Sequence, residues 1–306
     1  MEKEKVTREW VEAELSKGAR WFEDIDMQGL YLADLDFTGC VFSNVNLRAS
    51  NFVDAKLEYC WFNMCNLTNS YFRDASLKSA IFEKCDATEA TFNGANMERV
   101  RVYDTNMTLA SFIEVNLTDA FITNTNLINV YLSGSYLIRT RIDRCLITVT
   151  RDIINCNFTL ATISFTTFSN VGIKSCDMTR TTFEHCNFVM SNIADTALPN
   201  VVLINTDLRG LDLTNGGEFE VTPDLRYSLI IGSNIRDANL ENANMTGTKM
   251  VSNAIIGAWF GGADFTGADL SKQNFFDSNF DESTKGIKHP SFTGGIVEMD
   301  NPVNKE

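Results

Sequence analysis

Large apolar residues recur at every fifth position over most of this chain. One run reads Phe22, Met27, Leu32, Phe37, Phe42, Leu47, Phe52, Leu57, Phe62, Leu67, Phe72, Leu77 and Phe82, and it resumes from Phe92 to Ile147. Two residues before most beats from Phe42 on stands a small residue, as at Cys40, Ser50, Ala55, Cys60, Ala75 and Ala90. A period of five matches neither the 3.6 of a helix nor the 2 of a strand, so it marks internal repetition. A unit that owns one large side chain cannot bury it alone, and copies must stack to make a core.

The beat shifts by one residue near Thr148–Asp152 and then runs from Ile153 to Leu213. A second break spans Thr214–Tyr227, where Gly216, Gly217 and Pro223 mark a loop, and the beat returns from Ile230 to Phe280. The ends of such a stack need caps. Thr7 is placed to N-cap a helix over Arg8–Lys17, with Glu9 in its first turn, Gly18 as its stop, and Val6 and Val11 as a staple. Trp10, Val11 and Leu15 give that helix an apolar side for the first coil. The expected organisation is a cap over residues 1–20, a repeat body over 21–281, and a polar tail over 282–306 carrying Pro290 and Pro302.

Five triplets, Ala95-Asn96-Met97, Ala238-Asn239-Leu240, Ala243-Asn244-Met245, Ala263-Asp264-Phe265 and Ala268-Asp269-Leu270, carry a resemblance. They resemble the unit of the pentapeptide-repeat family, roughly Ala-Asp/Asn-Leu/Phe-x-x. The resemblance implies an all-β solenoid, a right-handed quadrilateral β-helix with four pentapeptides per coil. It also implies that the beat residue and the small residue point inward and the other three face solvent. On that basis about 50 beats make roughly 12 coils, on the order of 60 Å at ~4.8 Å per coil.

Composition narrows the function classes. The formal net charge is −14, which disfavours direct nucleic-acid binding. The chain lacks an 18-residue apolar run, so no membrane span is expected. The N-terminus Met-Glu-Lys-Glu-Lys has no signal-peptide apolar region, which points to the cytoplasm unless export is signal-less. The cysteines Cys40, Cys60, Cys65, Cys85, Cys145, Cys156, Cys176 and Cys186 all occupy the small inward slot. There cysteine reads as a compact hydrophobe exchangeable with Ala or Ser, neither a metal ligand nor a disulfide partner. His185 and His289 are the sole histidines, and a filled bore offers no concavity where a catalytic set could converge. Gly257–Gly262 opens no helix, and Asp34 with Asp36 read as outward neighbours. No catalytic, cofactor or metal site is expected.

Function then rests on surfaces. Residues twenty apart should stack, which makes Asp34, Asp54, Asp74 and Glu114 an acidic row interrupted at Gly94. Val41, Trp61, Ile81 and Phe121 form an outward apolar stripe that includes Arg101 and Arg141, a candidate for a protein partner or a homodimer. Arg139, Arg141, Arg144 and Arg151 cluster near the first break, and Glu218, Glu220 and Asp224 lie on a loop expected to project. The family resemblance implies an acidic, DNA-mimicking rod that binds a type II topoisomerase, DNA gyrase or topoisomerase IV. The alternative is an interaction scaffold or secreted bacterial effector that works through the apolar stripe. The length and the missing C-terminal dimerisation helix depart from the topoisomerase-binding members.

Overall fold

The computed structural model describes residues 3–148, 152–168, 170–194, 196–213, 223–270, 273, 275 and 277–287. It divides into two compact units, Met1–Arg151 and Asp152–Glu306, with the boundary at the first register break. Each unit is a parallel β-solenoid whose coils have four faces and four corners. In the first unit the strands Trp21–Glu23, Val41–Ser43, Trp61–Asn63, Ile81–Glu83, Arg101–Tyr103, Phe121–Thr123 and Arg141–Asp143 pair in parallel, each with the residue 20 positions on. The other faces are held by single parallel bridges at the same spacing, such as Asn46↔Asn66↔Asp86 and Asp36↔Lys56↔Ser76.

Corners explain much of the repeat. Each turns through a left-handed residue, for example Asp34 (φ 63°), Ala49 (φ 57°) and Tyr59 (φ 60°). That conformation favours Asp, Asn and Gly. At most corners the small residue's N–H closes the turn onto the beat residue's carbonyl, as Cys40 N to Phe37 O at 2.8 Å. The Asp or Asn before the beat also serves the turn: Asn66 Oδ1 accepts the Thr68 N–H at 3.0 Å and Asn51 Oδ1 the Val53 N–H at 2.9 Å. Such local side-chain bonds are why Asx residues favour turns. These residues were expected simply to face solvent; they fasten the corner instead.

A second kind of corner follows the three-residue strands. Here the small residue's N–H has no turn carbonyl, and the slot residue of the next coil accepts it. Cys85 N donates to Thr105 Oγ1 at 3.3 Å, Val115 N to Ser135 Oγ at 3.0 Å, and Ser233 N to Asn253 Oδ1 at 2.8 Å. The same side chains donate inward to a beat carbonyl one coil back, as Cys85 Sγ to Phe62 O at 3.3 Å. All eight cysteines are free and buried in the small slot. Burial pushes the Cys40 and Cys145 thiols up to about 11 and Cys186 to about 12. The expectation of a plain hydrophobe needs correction: at these corners cysteine is a hydrogen-bonding group where Ala would leave a backbone amide unpaired.

Phe fills the bore of the first unit in two columns. Phe42, Phe62 and Phe82 stack face to face at 4.9 Å, and Phe52, Phe72 and Phe92 at 5.0–5.1 Å. Between columns the rings meet edge-on, as Phe62 and Phe72 at 6.0 Å. Stacking distance equals coil spacing, so the backbone ladder and the ring column have the same pitch. In the second unit the Phe168–Phe188 stack (4.8 Å) gives way to Leu208 and Ile235. The smaller beats leave an apolar cavity of about 30 Å³ lined by Phe183, Phe188, Leu203, Leu208, Ile230 and Ile235 among others. Leu208→Phe should extend the column into this space and raise unfolding stability by about 0.7 kcal/mol, at ~24 cal/mol per Å³. Chemical denaturation checks it, and a loss of stability would show that the bore cannot accept another ring.

The N-terminal cap forms with Thr7 as N-cap, its side chain accepting from Trp10 N at 3.3 Å, and the helix Arg8–Ser16 ends near Gly18 (φ 87°). Val6 and Val11 are buried, and the Trp10 ring meets Phe22 edge-on at 6.3 Å. A strand Glu4–Lys5 pairs with Ile25–Asp26 and covers an open edge of the first coil, an element absent from the sequence reading. In the second unit the ladder spacing jumps once from 20 to 27, where Val202 pairs with Leu229. The second break is therefore an insertion. Pro223–Tyr227 belongs to a coil, not to a loop, because Asp224 bridges Ala197 and Asn244. The repeat also runs past 281: Lys285 bridges Asp264, and Asp281 Oδ1 accepts N–H bonds from Gly262 and Ser283.

Candidate functional site

The acidic row lies on one corner of the first unit. Asp34, Asp54, Asp74 and Glu114 are exposed left-handed corner residues with φ of 63°, 56°, 57° and 57°. Their own N–H groups are tied into the ladder, Asp54 N to Arg73 O at 3.1 Å and Glu114 N to Ser133 O at 2.8 Å. Gly94 interrupts the row. A Cβ there would sit 2.1 Å from Asp74 Oδ1, so the Asp74 carboxylate lies over the next corner, and Glu114 lies over Gly134 in the same way. The row is not purely negative, because Arg73 Nε sits 3.1 Å from Asp74 Oδ2.

The apolar stripe stands on a different face. Val41, Trp61, Ile81 and Phe121 are in register, but all four are half-buried, while Arg101 and Arg141 are the exposed members. Flat packing against coil neighbours covers much of each side chain, so the stripe is less open than its composition promises. Sequence reading missed its first member, Trp21, which is 58% exposed and pairs with Val41. Trp61 Nε1 is buried with no hydrogen-bond partner. One face separates stripe from acidic corner, and it carries Asp36 with Lys56 (3.7 Å) and Lys78 with Glu98 (2.9 Å). One flat partner surface therefore cannot cover both.

Among the described residues the expected arginines do not form a cluster. Arg139 is on one corner, bonded twice to Asp119 at 2.7 and 2.8 Å, and Arg144 is on the next, 3.5 Å from Asp143. The hydrogen bond from Arg139 holds the Asp119 carboxyl below its ordinary range, and Arg99 adds Coulombic support. Arg151, Glu218, Glu220 and His289 fall outside the described residues. Asp224 is half-buried and paired with Arg226 at 2.7 Å, so it is a coil residue. His185 stacks on Phe165 at 4.7 Å on an exposed corner. Among the described residues no group of three or more His, Cys, Asp or Glu is arranged to hold a metal ion, and no helix is long and apolar enough to cross a membrane.

The model of the pentapeptide repeats matches 8 copies here, over residues 25–63, 50–86, 70–108, 110–148 and 176–215. The chain belongs to the pentapeptide-repeat family. No curated protein sequence matches it. Among solved structures it is similar to HetL, a pentapeptide repeat protein involved in heterocyst differentiation regulation from the cyanobacterium Nostoc sp. strain PCC 7120. That match has 18% identity over 78% of this chain and 97% of that one, with a TM-score of 0.42. It is also similar to a trypsin-treated form of QnrB1, a plasmid-mediated fluoroquinolone resistance protein, at 22% identity over 63% of this chain and 88% of that one, TM-score 0.46. A pentapeptide repeat protein of the Arabidopsis thaliana thylakoid lumen matches at 24% identity over 34% of this chain and 70% of that one, TM-score 0.24.

Proposed function

We propose that this pentapeptide-repeat protein is a non-catalytic binding module whose acidic corner stands in for DNA phosphates against a type II topoisomerase, DNA gyrase or topoisomerase IV. The observation that carries this reading is the column of exposed carboxylates, Asp34, Asp54, Asp74 and Glu114, stacked along one corner with a gap at Gly94. A groove evolved for phosphates attracts such a column electrostatically, and the net charge of −14 adds to the long-range field. A cytoplasmic site of action goes with this partner.

The test is a gyrase supercoiling assay with and without this protein and a quinolone, alongside direct binding at several salt concentrations. Asp34→Asn, Asp54→Asn and Asp74→Asn together keep side chains that tolerate left-handed corners, so the coil should remain folded. The triple variant should lose at least ~10-fold in affinity at low salt and show a flatter salt dependence. Unchanged supercoiling at micromolar protein, or an unaltered affinity in the triple variant, would remove this reading.

A second reading, an adaptor or a homodimer joined through the strand face, is favoured by the exposed Trp21 and by the unpartnered Trp61 indole. Apolar association there would be nearly indifferent to salt, and that separates the two.

A further inference from the structure

The strand face of the first unit has two unlike ends. Its outward leading column holds one residue per coil, in unbroken parallel register, and Ile81 is the middle member. Trp61 and Arg101 lie one coil either side of Ile81, Val41 and Phe121 two, and Trp21 and Arg141 three. Tryptophans therefore occupy one end and arginines the other, at matched distances from the centre. Arg101 and Arg141 are exposed and, among the described residues, have no ionic partner. Trp21 is exposed as well, and the Tyr103 ring leans on Phe121 at 5.8 Å.

That arrangement suits a second copy of the same face. A two-fold axis along the strand Ile81–Glu83 turns one copy end over end onto the other, so that residue i meets j and j meets i. Ile81 then meets Ile81, Val41 meets Phe121, and each tryptophan meets an arginine, Trp61 with Arg101 and Trp21 with Arg141. A guanidinium laid on an indole is attractive, more so once water is excluded. Both side chains are long enough to cross the ~10 Å between packed sheets. An axis along the coil stack would set this column on its neighbour, Ile81 on Glu83 and Trp21 on Glu23, or on itself, Arg101 on Arg101. Apolar groups on carboxylates and like charges on each other disfavour both. In the end-over-end pair the neighbouring column brings Glu23 opposite Asp143 and Glu83 opposite itself. Lys84 lies 3.4 Å from Glu83 and Arg144 3.5 Å from Asp143, which offsets the repulsion. Seven strands at ~4.8 Å and three residues at ~3.3 Å give a face of roughly 30 by 10 Å. That is below the ~800 Å² per partner of a stable complex, so the pair is weak.

We propose that two copies of this chain pair antiparallel through this face, with Trp21 and Trp61 of each stacked on Arg141 and Arg101 of the other. The proposal rests on the reading of the strand face as a contact surface and names its occupant. The acidic corner, one face away, stays open in both copies.

Sedimentation velocity of the full chain from about 1 to about 200 μM tests it, the range in which a weak interface assembles. Circular dichroism confirms that each variant is folded. The wild type should pass from monomer to dimer with concentration. Arg101→Glu, at an exposed position, should raise the dissociation constant at least ~10-fold. Trp61→Arg should do the same, because it sets arginine on arginine. Trp61→Arg combined with Arg101→Trp in one chain exchanges the two ends of the contact and should recover the dimer, a coupling that only facing residues show. A chain that stays monomeric throughout would overturn the dimer and leave the strand face to a different protein. A dimer unaltered by Arg101→Glu would overturn it too, and would remove the strand face from the second reading as well. Single losses that the exchange fails to rescue would overturn the antiparallel pairing.

Discussion

Phe62→Ala should cost about 3–5 kcal/mol of unfolding free energy, the range for emptying a buried aromatic site. Phe62 is wholly buried and lies between Phe42 and Phe82, 4.9 Å from each, with ring planes 3° and 7° from parallel. Edge contacts to Phe52 at 6.5 Å and Phe72 at 6.0 Å lock it sideways. Alanine would remove two stacked pairs and two edge pairs, and neighbouring rings cannot collapse into the gap because the backbone ladder fixes their spacing. In a stack where each coil touches only its neighbours, such a defect also weakens coupling between the coils above and below. Denaturation followed by circular dichroism should show a midpoint lower by roughly 10 °C and a broader transition. Phe62→Leu, which exchanges one beat residue for the other common one, should lose less than about 1.5 kcal/mol. An alanine variant within about 1 kcal/mol of wild type would mean the columns are not the source of stability.

The repeat was legible because one large residue in five is a simple physical requirement: each face of a square coil needs one side chain to fill the bore. Stacking at twenty residues followed from it, and so did the acidic column, since Asp34, Asp54 and Asp74 are twenty apart. Exposure was less legible. The Val41–Phe121 stripe looked open in sequence, yet in-register neighbours cover one another's flanks. Arg139 and Arg144 are close in sequence but occupy successive corners, so closeness along the chain misled. The strand pairing across the second break escaped notice because seven extra residues separate Val202 from Leu229, and a search at twenty steps past it. Subtracting the insertion would have aligned Val202 with Leu229 and Ile204 with Ile231. What the sequence hid most fully was the two kinds of corner, since both share the same five-residue beat and differ only in which group accepts one amide.

That difference has energetic weight, and Asn253 shows it most directly. Its Oδ1 accepts the Ser233 N–H at 2.8 Å and its Nδ2 donates to the Ile230 carbonyl at 2.9 Å, so one side chain serves two backbone groups of buried residues. Asn253→Leu preserves the branching and approximate shape but strips both partners. Each orphaned buried group costs about 1–3 kcal/mol, and the variant should lose about 2–4 kcal/mol in all. Ser228 provides the contrast at a closed corner. Its N–H already bonds the Leu225 carbonyl at 3.1 Å, and its hydroxyl adds only a 3.3 Å bond to Leu198 O. Ser228→Ala should therefore cost no more than about 1 kcal/mol. Denaturant titration of both variants checks the ordering, with amide hydrogen exchange at Ser233 as the local readout: it should accelerate in Asn253→Leu and stay slow in Ser228→Ala. Equal losses in the two would mean that small slots are set by volume alone, and that Cys, Thr, Ser and Asn sit at open corners for no hydrogen-bonding reason.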